Sequence, residues 1–189
     1  MKRTTPAVAA ILSTLLLAAG CGRTVPNRDP VGESFPSVTG TALDGETWHL
    51  PADVEGERAI LLIGYVQDAQ FDIDRWLIGF TMTDVGATIL EIPTIEGLVP
   101  GLISERIDEG MRAGIPQQVW EAVVTVYDDA EALVDFTGNE NPRNARVLLL
   151  DRDGTVMWFH DAGFSAPDLM EIVGLLPADL VGDTKLGDD

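Results

Sequence analysis

The order of strand-like and helix-like stretches predicts an α/β fold: a mixed central sheet flanked by helices, with an N-terminal β-hairpin extension. Three observations carry that reading. A continuous apolar run at residues 60–66 has strand length and no alternation, as in a strand buried on both faces, and residues 87–92 read as a second buried strand. Stretches with helical spacing separate successive strands, the arrangement that builds layered α/β sheets. Near the end, two extended apolar pieces flank Asp151-Arg152-Asp153-Gly154, a hairpin turn that makes the sheet mixed. The chain has 189 residues, 46% hydrophobic and 23% charged, and no internal repeat, which is the composition of one globular domain with appendages.

Taken in order, residues 1–20 read as a signal segment. Lys2 and Arg3 open it, and about 14 apolar or small residues follow from Ala7 to Gly20. That is short of the ~20 residues a bilayer-spanning helix needs. The ending Leu17-Ala18-Ala19-Gly20-Cys21 resembles a bacterial lipobox. The resemblance implies that Cys21 is acylated, becomes the mature N-terminus and anchors an exported protein in a membrane. Two or three acyl chains hold stably where one is marginal. Gly22, in place of an aspartate, resembles the pattern of lipoproteins sent to the periplasmic face of the outer membrane in diderm bacteria.

Residues 21–31 follow as the lipidated cysteine and a tether, residues 32–178 as the domain, and residues 179–189 as an acidic, frayed tail. Within the domain, Asp44-Gly45 turns a short hairpin over residues 41–50. The strand over 60–66 leads into a helix over 72–82, capped by Asp68 or Asp72, with Phe71, Leu77 and Ile78 as core positions. A strand over 87–92 closes at Pro93, and a helix over 100–113 carries an apolar stripe of Leu102, Ile103, Ile107 and Met111. A strand over 122–127 precedes a short helix capped by Asp128 or Asp129 and ended by Gly138. The hairpin over 146–160 is followed by a last helix, with Ser165 as N-cap, Pro167 in its first turn and Asp168 at its positive end.

Charge and cysteine usage exclude whole classes of function. The net charge of −19 repels phosphate backbones and anionic headgroups, so no nucleic acid is expected as a partner. Cys21 is the only cysteine, which leaves the domain without a thiolate, a disulfide or a cysteine-ligated metal.

Val31-Gly32-Glu33-Ser34-Phe35-Pro36, followed by Leu43-Asp44-Gly45, resembles the opening of peroxiredoxin and thiol-reductase domains of the thioredoxin-like superfamily. Residues 147–158, a hydrophobic run with an Asp-x-Asp-Gly turn, are similar to the last two strands of that family. The resemblance implies a thioredoxin-like fold over about residues 31–176. Its chemistry does not carry over. Laid on the family pattern, Gln70 and Ile73 stand at the two cysteine positions, and neither can form a thiolate or a disulfide. Ala145, preceded by Asn144, stands where the family has a cis-proline, and a non-proline cis bond would cost roughly 3 kcal/mol, so a trans bond is expected.

The polar loop after the first buried strand is the candidate site. Gln67, Asp68, Gln70, Asp72, Asp74 and Arg75, with Asn144 and Ala145 across the groove, form a candidate partner-binding surface. The expected role is a non-catalytic, lipid-anchored binding or assembly module of the bacterial envelope, with an envelope protein as partner and no catalytic residue, metal or cofactor. Two alternatives stay open. One is a thiol-independent enzyme or metal-delivery protein using His49, His160 or the acidic loop. The other is a redox-associated protein whose partner supplies the cysteines. Trp48, Trp76, Trp120 and Trp158 read as core residues rather than a binding surface.

Overall fold

The computed structural model describes residues 23–97 and 101–181. The signal segment, Cys21, the Pro100 helix start, the Leu102 side chain and residues 182–189 of the tail lie outside them. In chain order the elements are β1 (Val38–Ala42), β2 (Thr47–Leu50), β3 (Ala59–Gly64), α1 (Gln70–Met82), β4 (Thr88–Pro93), α2 (Gly101–Gly114), β5 (Val124–Thr125), α3 (Ala130–Thr137), β6 (Arg146–Leu150), β7 (Val156–His160) and α4 (Ala166–Leu175).

The central sheet has the order β4-β3-β6-β7. β3 pairs parallel to β4 and antiparallel to β6, so the sheet is mixed. All six residues of β3 are buried, which is why its sequence shows no alternation. Ile60 and Leu62 enter one core with Ile73, Trp76 and Phe80 of α1 and Leu169 and Ile172 of α4. Leu61 and Ile63 enter the other, with Leu133 and Phe136 of α3. The N-terminal hairpin joins β5 in a second sheet of order β2-β1-β5, and parallel bridges Glu91–Val123 and Thr94–Val126 tie that sheet to β4. Val38, Ala42 and Leu50 share a core cluster with Leu61, Leu148 and Leu150, so the hairpin covers the α3 face of the central sheet.

The element types follow the sequence, and several boundaries and faces do not. β3 stops at Gly64, because Val66 is exposed and Gln67–Ala69 wind into a 3-10 turn that runs straight into α1. The helix therefore starts at Gln70 with Ala69 at its N-cap position, and neither Asp68 nor Asp72 caps it. Its buried face is Asp72, Ile73, Trp76, Gly79 and Phe80, whereas Phe71 is 72% and Ile78 60% exposed. α1 is apolar on two sides, so spacing alone did not reveal which side would meet the sheet. In α2, Ile103 faces solvent. β5 is only two residues long, since residues Gln117–Ala122 form a 3-10 helix. Asp129 does not cap α3; its carboxylate accepts the Thr39 N–H at 2.7 Å, tying α3 to β1. Gly138 does end α3, with φ +74°, and Ser165 does cap α4, accepting the Asp168 N–H at 3.4 Å.

The segment expected as a tether is part of the fold from Arg23 onward. Val25 and Asn139 exchange hydrogen bonds, Val25 N–H to Asn139 Oδ1 at 2.7 Å and Asn139 N–H to the Val25 carbonyl at 2.9 Å. Asn27 and Glu140 do the same at 2.9 and 2.8 Å. Farther on, Gly32 donates to the Val156 carbonyl and Phe35 to that of Gly154, both at 2.9 Å, so residues 32–35 lie beside β7. Gly138 permits this strap: a Cβ there would lie 2.3 Å from the Pro26 carbonyl oxygen.

Gly138→Ala is expected to destabilise the protein in urea titrations and to open the strap to trypsin. Gly32 also has positive φ (+86°) but open space around it, so Gly32→Ala carries only the left-handed strain of about 1 kcal/mol. The excess for Gly138→Ala, about 1–3 kcal/mol from overpacking, reports the strap contact. Equal losses for both variants would show that the strap is not held there.

Candidate functional site

The carboxyl end of β3, the amino end of α1 and the loop before β6 meet at the carboxyl edge of the central sheet, where α/β folds present their sites. At the centre is the Asp72 carboxylate, 6% exposed. It sits in the first turn of α1, where the helix dipole favours an anion. Its Oδ2 accepts the Ala145 N–H at 2.9 Å and its Oδ1 accepts the Phe164 N–H at 2.7 Å. One side chain thus joins α1, the start of β6 and the loop leading to α4. The bond preceding Ala145 is trans, and because Ala145 is not proline it has the N–H that Asp72 takes.

Behind this bridge lies Arg146, which is fully buried. Its Nε donates to the Gly138 carbonyl at 3.1 Å, and its Nη1 to the Asn141 and Asn144 carbonyls at 2.7 and 2.9 Å. Nη2 donates to Asn27 Oδ1 of the strap at 2.9 Å, and Asn27 in turn donates to Asp161 Oδ2 at 2.7 Å. The guanidinium also stacks over Tyr65, 5.3 Å from the ring centroid. Burial lowers the Arg146 pKa, opposed by Tyr65 and Asp161. Burial likewise raises the Tyr65 pKa, so the phenol stays neutral; it donates to the Leu133 carbonyl at 2.8 Å, and its oxygen lies within hydrogen-bond distance of Thr137 Oγ1 at 2.7 Å.

The expected site residues divide into two groups. Gln67, Asp68, Asp74 and Arg75 are exposed, and Gln70 and Asn144 half-buried. Asp72 and Ala145 are buried and bonded to each other, which corrects the expectation that both line an open groove. Ile73, expected at the second cysteine position, is a core residue packed towards Gly64. Gln70, at the first, donates to Asp74 Oδ1 at 2.9 Å and to Glu91 Oε2 at 3.4 Å. Asp68 pairs with Arg143 at 3.4 Å on the surface, a contact worth little. Asn144 donates to the Asp161 carbonyl at 2.9 Å.

The histidines are not brought together. His49 lies on β2, its ring 3.5 Å from Thr39 Oγ1, while His160 Nε2 donates to the Gly163 carbonyl at 2.7 Å with Nδ1 3.7 Å from Asp168. His160 is wedged against Trp158, stacked at 5.7 Å, and against Trp76, edge-on at 5.6 Å. Asp151 accepts the N–H groups of Asp153 and Thr155, both at 2.9 Å, and so shapes its own turn.

Sequence reasoning passed over Tyr65, Asn27, Arg146, Phe164 and Glu91. Two had a signal. Arg146 heads an apolar run and Glu91 interrupts one, and a charge in a strand buried on both faces needs a partner. Glu91 is 7% exposed, and burial is the main cause that raises its carboxyl pKa above the usual 4.5, with the Gln70 amide opposing.

Asp72→Asn keeps one acceptor where two N–H groups converge, so it should cost about 1–3 kcal/mol, the price of one unsatisfied buried donor, while Asp74→Asn should stay within about 0.5 kcal/mol. Ala145→Pro should cost a similar amount by removing the donor, and the Asp72→Asn, Ala145→Pro double variant should cost less than the sum. Chemical denaturation of the four proteins checks this; strict additivity would refute the bridge. For Glu91 the sign is opposite. Its folded pKa lies above its unfolded one, so the folded state binds the extra proton and stability falls as pH rises through the interval. Glu91→Gln should therefore raise the melting temperature by a few degrees at pH 7–8 and make little difference below about pH 4.

No family model and no curated protein matches the sequence. Solved structures do match. The pneumococcal exposed lipoprotein thioredoxin Etrx1 from Streptococcus pneumoniae is similar over 75% of this chain and 100% of its own, at 13% identity and a TM-score of 0.52. BsSco, a member of the Sco family of cytochrome c oxidase assembly proteins, is similar over 79% and 95%, at 10% identity and a TM-score of 0.54. A candidate protein disulfide isomerase from Bacteroides thetaiotaomicron is similar over 82% and 94%, at 15% identity and a TM-score of 0.52. At such identities the likeness speaks to architecture alone, and together with the mixed sheet, its flanking helices and the N-terminal hairpin it establishes that the fold is thioredoxin-like.

Proposed function

We propose that this chain is a non-catalytic, lipid-anchored thioredoxin-like module of the bacterial cell envelope that binds or helps assemble a protein partner. One observation carries the reading. At the amino end of α1, where the family pattern puts Gln70 and Ile73 at the cysteine positions, Asp72 engages the backbone N–H groups of Ala145 and Phe164 within the fold. The positive end of the helix thus stabilises a structural carboxylate and has no nucleophile beside it.

The lipobox-like ending at Cys21 supports the membrane anchor. Among the described residues no helix is long and apolar enough to cross a membrane. The neighbours lend support of the same kind: Etrx1 is an exposed lipoprotein and BsSco belongs to a family of assembly proteins. The surface left for a partner is the exposed part of the loop, Gln67, Asp68, Asp74 and Arg75, flanked by exposed Val66 and Phe71.

Two measurements test this. Residues 22–189 should reduce no disulfide and consume no peroxide above the uncatalysed rate; turnover of either would sink the proposal. A photo-crosslinker at position 71 should trap one envelope protein, and Asp68→Lys with Asp74→Lys should abolish the adduct while leaving the fold intact, since both side chains are exposed. An adduct unchanged by charge reversal would remove the loop from the proposed surface.

A further inference from the structure

The strap has a consequence for how an anchored domain is oriented. Arg23 pairs with Asp135 and, at 3.5 Å, with Glu131, both on the outer side of α3, and its carbonyl accepts from Asn139 Nδ2 at 2.8 Å. From that residue onward the chain belongs to the fold, held by the Val25–Asn139 and Asn27–Glu140 pairs and by Arg146. Cys21 is two residues before Arg23, so an acylated Cys21 lies at most about 7 Å along the chain from a fixed point on the domain. A tether of ten flexible residues would let the domain stray from the bilayer; so short a span keeps Arg23 and the end of α3 it is bonded to beside the anchor.

α3 and α1 lie on opposite faces of the central sheet, since Leu133 and Phe136 belong to one core and Ile73, Trp76 and Phe80 to the other. The anchor emerges on the α3 side. We infer that the strap fixes the orientation of the domain on the bilayer, with Arg23, the outer face of α3 and loop 138–141 at the lipid headgroups and α1 turned away from them. This rests on the lipid-anchored reading above. It also gives that reading a geometry: the exposed apolar side chains of α1, Phe71, Ile78 and Met82, face the aqueous side, where a protein partner can reach them. The α3 face, with Glu131 and Asp135, has no attraction of its own for anionic lipid; Arg23 offsets part of that charge, and the covalent anchor imposes the proximity.

The cysteine-free domain makes the test direct. Ala132→Cys on α3 and Ile78→Cys on α1, both at exposed positions, are labelled with a fluorophore in the full acylated chain, reconstituted into vesicles carrying headgroup quenchers. Mass spectrometry of the N-terminal peptide reports the acyl chains independently. Acylated protein with quenching several-fold stronger at position 132 than at 78 is the expected result. Inserting about 20 Gly/Ser residues between Gly22 and Arg23, a reach of about 25 Å, should abolish the difference. Acylated protein quenched equally at both positions, or a contrast that survives the linker, overturns the orientation and leaves the anchor standing. Absence of acyl chains overturns both.

Discussion

A fully buried guanidinium holds the candidate-site end of this protein together. Taking Arg146 out of water forfeits hydration worth several kcal/mol, so the charge persists inside only if its donors are matched. The matching is done by backbone carbonyls of Gly138, Asn141 and Asn144 and by the Asn27 side chain of the strap, with Tyr65 beneath the plane. Each of these bonds fixes a different piece of chain. Loop 138–144 is wrapped around the guanidinium, and the strap is attached to it. The residue next to Arg146 is Ala145, whose N–H is thereby aimed at Asp72. The position of the loop, the strap and the amino end of α1 all trace back to one side chain.

This arrangement explains how the fold keeps its shape at the amino end of α1. A helix amino end at a sheet edge offers unsatisfied N–H groups and a positive potential, conditions that lower a thiol pKa and create a nucleophile. Here the same potential is met by Asp72, a built-in anion with two backbone partners at 2.9 and 2.7 Å. Ile73 beside it is committed to core packing. What remains outward-facing is a set of exposed polar side chains beside the exposed apolar Val66 and Phe71.

Much of the architecture was legible because burial on both faces leaves an unmistakable mark. The runs around Ile60 and Val147 contain nothing that tolerates water, and the Asp44-Gly45 and Asp151–Gly154 turns meet positive-φ requirements at Gly45 and Gly154. The helix α1 shows the opposite. Phe71, Ile78 and Met82 form as good an apolar stripe as Ile73, Trp76 and Phe80, and the choice between them depends on which side the sheet and α4 approach. The site was legible only as a location. Asp72 read as a surface cap because nothing nearby in sequence would bury it; its partners come from residues 145 and 164, far along the chain.

The sequence by itself determined the things that depend on local pattern and on counting: the alternation of strands and helices, the turns, the likeness to a lipobox at Cys21, and the absence of any cysteine beyond it. Tertiary structure alone decided which polar groups face inward. The strap became part of the domain because Gly138 leaves room for Pro26, and Arg146 became a hub because three carbonyls of one loop converge on it. Buried charges are satisfied by whatever the fold brings within about 3 Å, and those neighbours are distant in sequence.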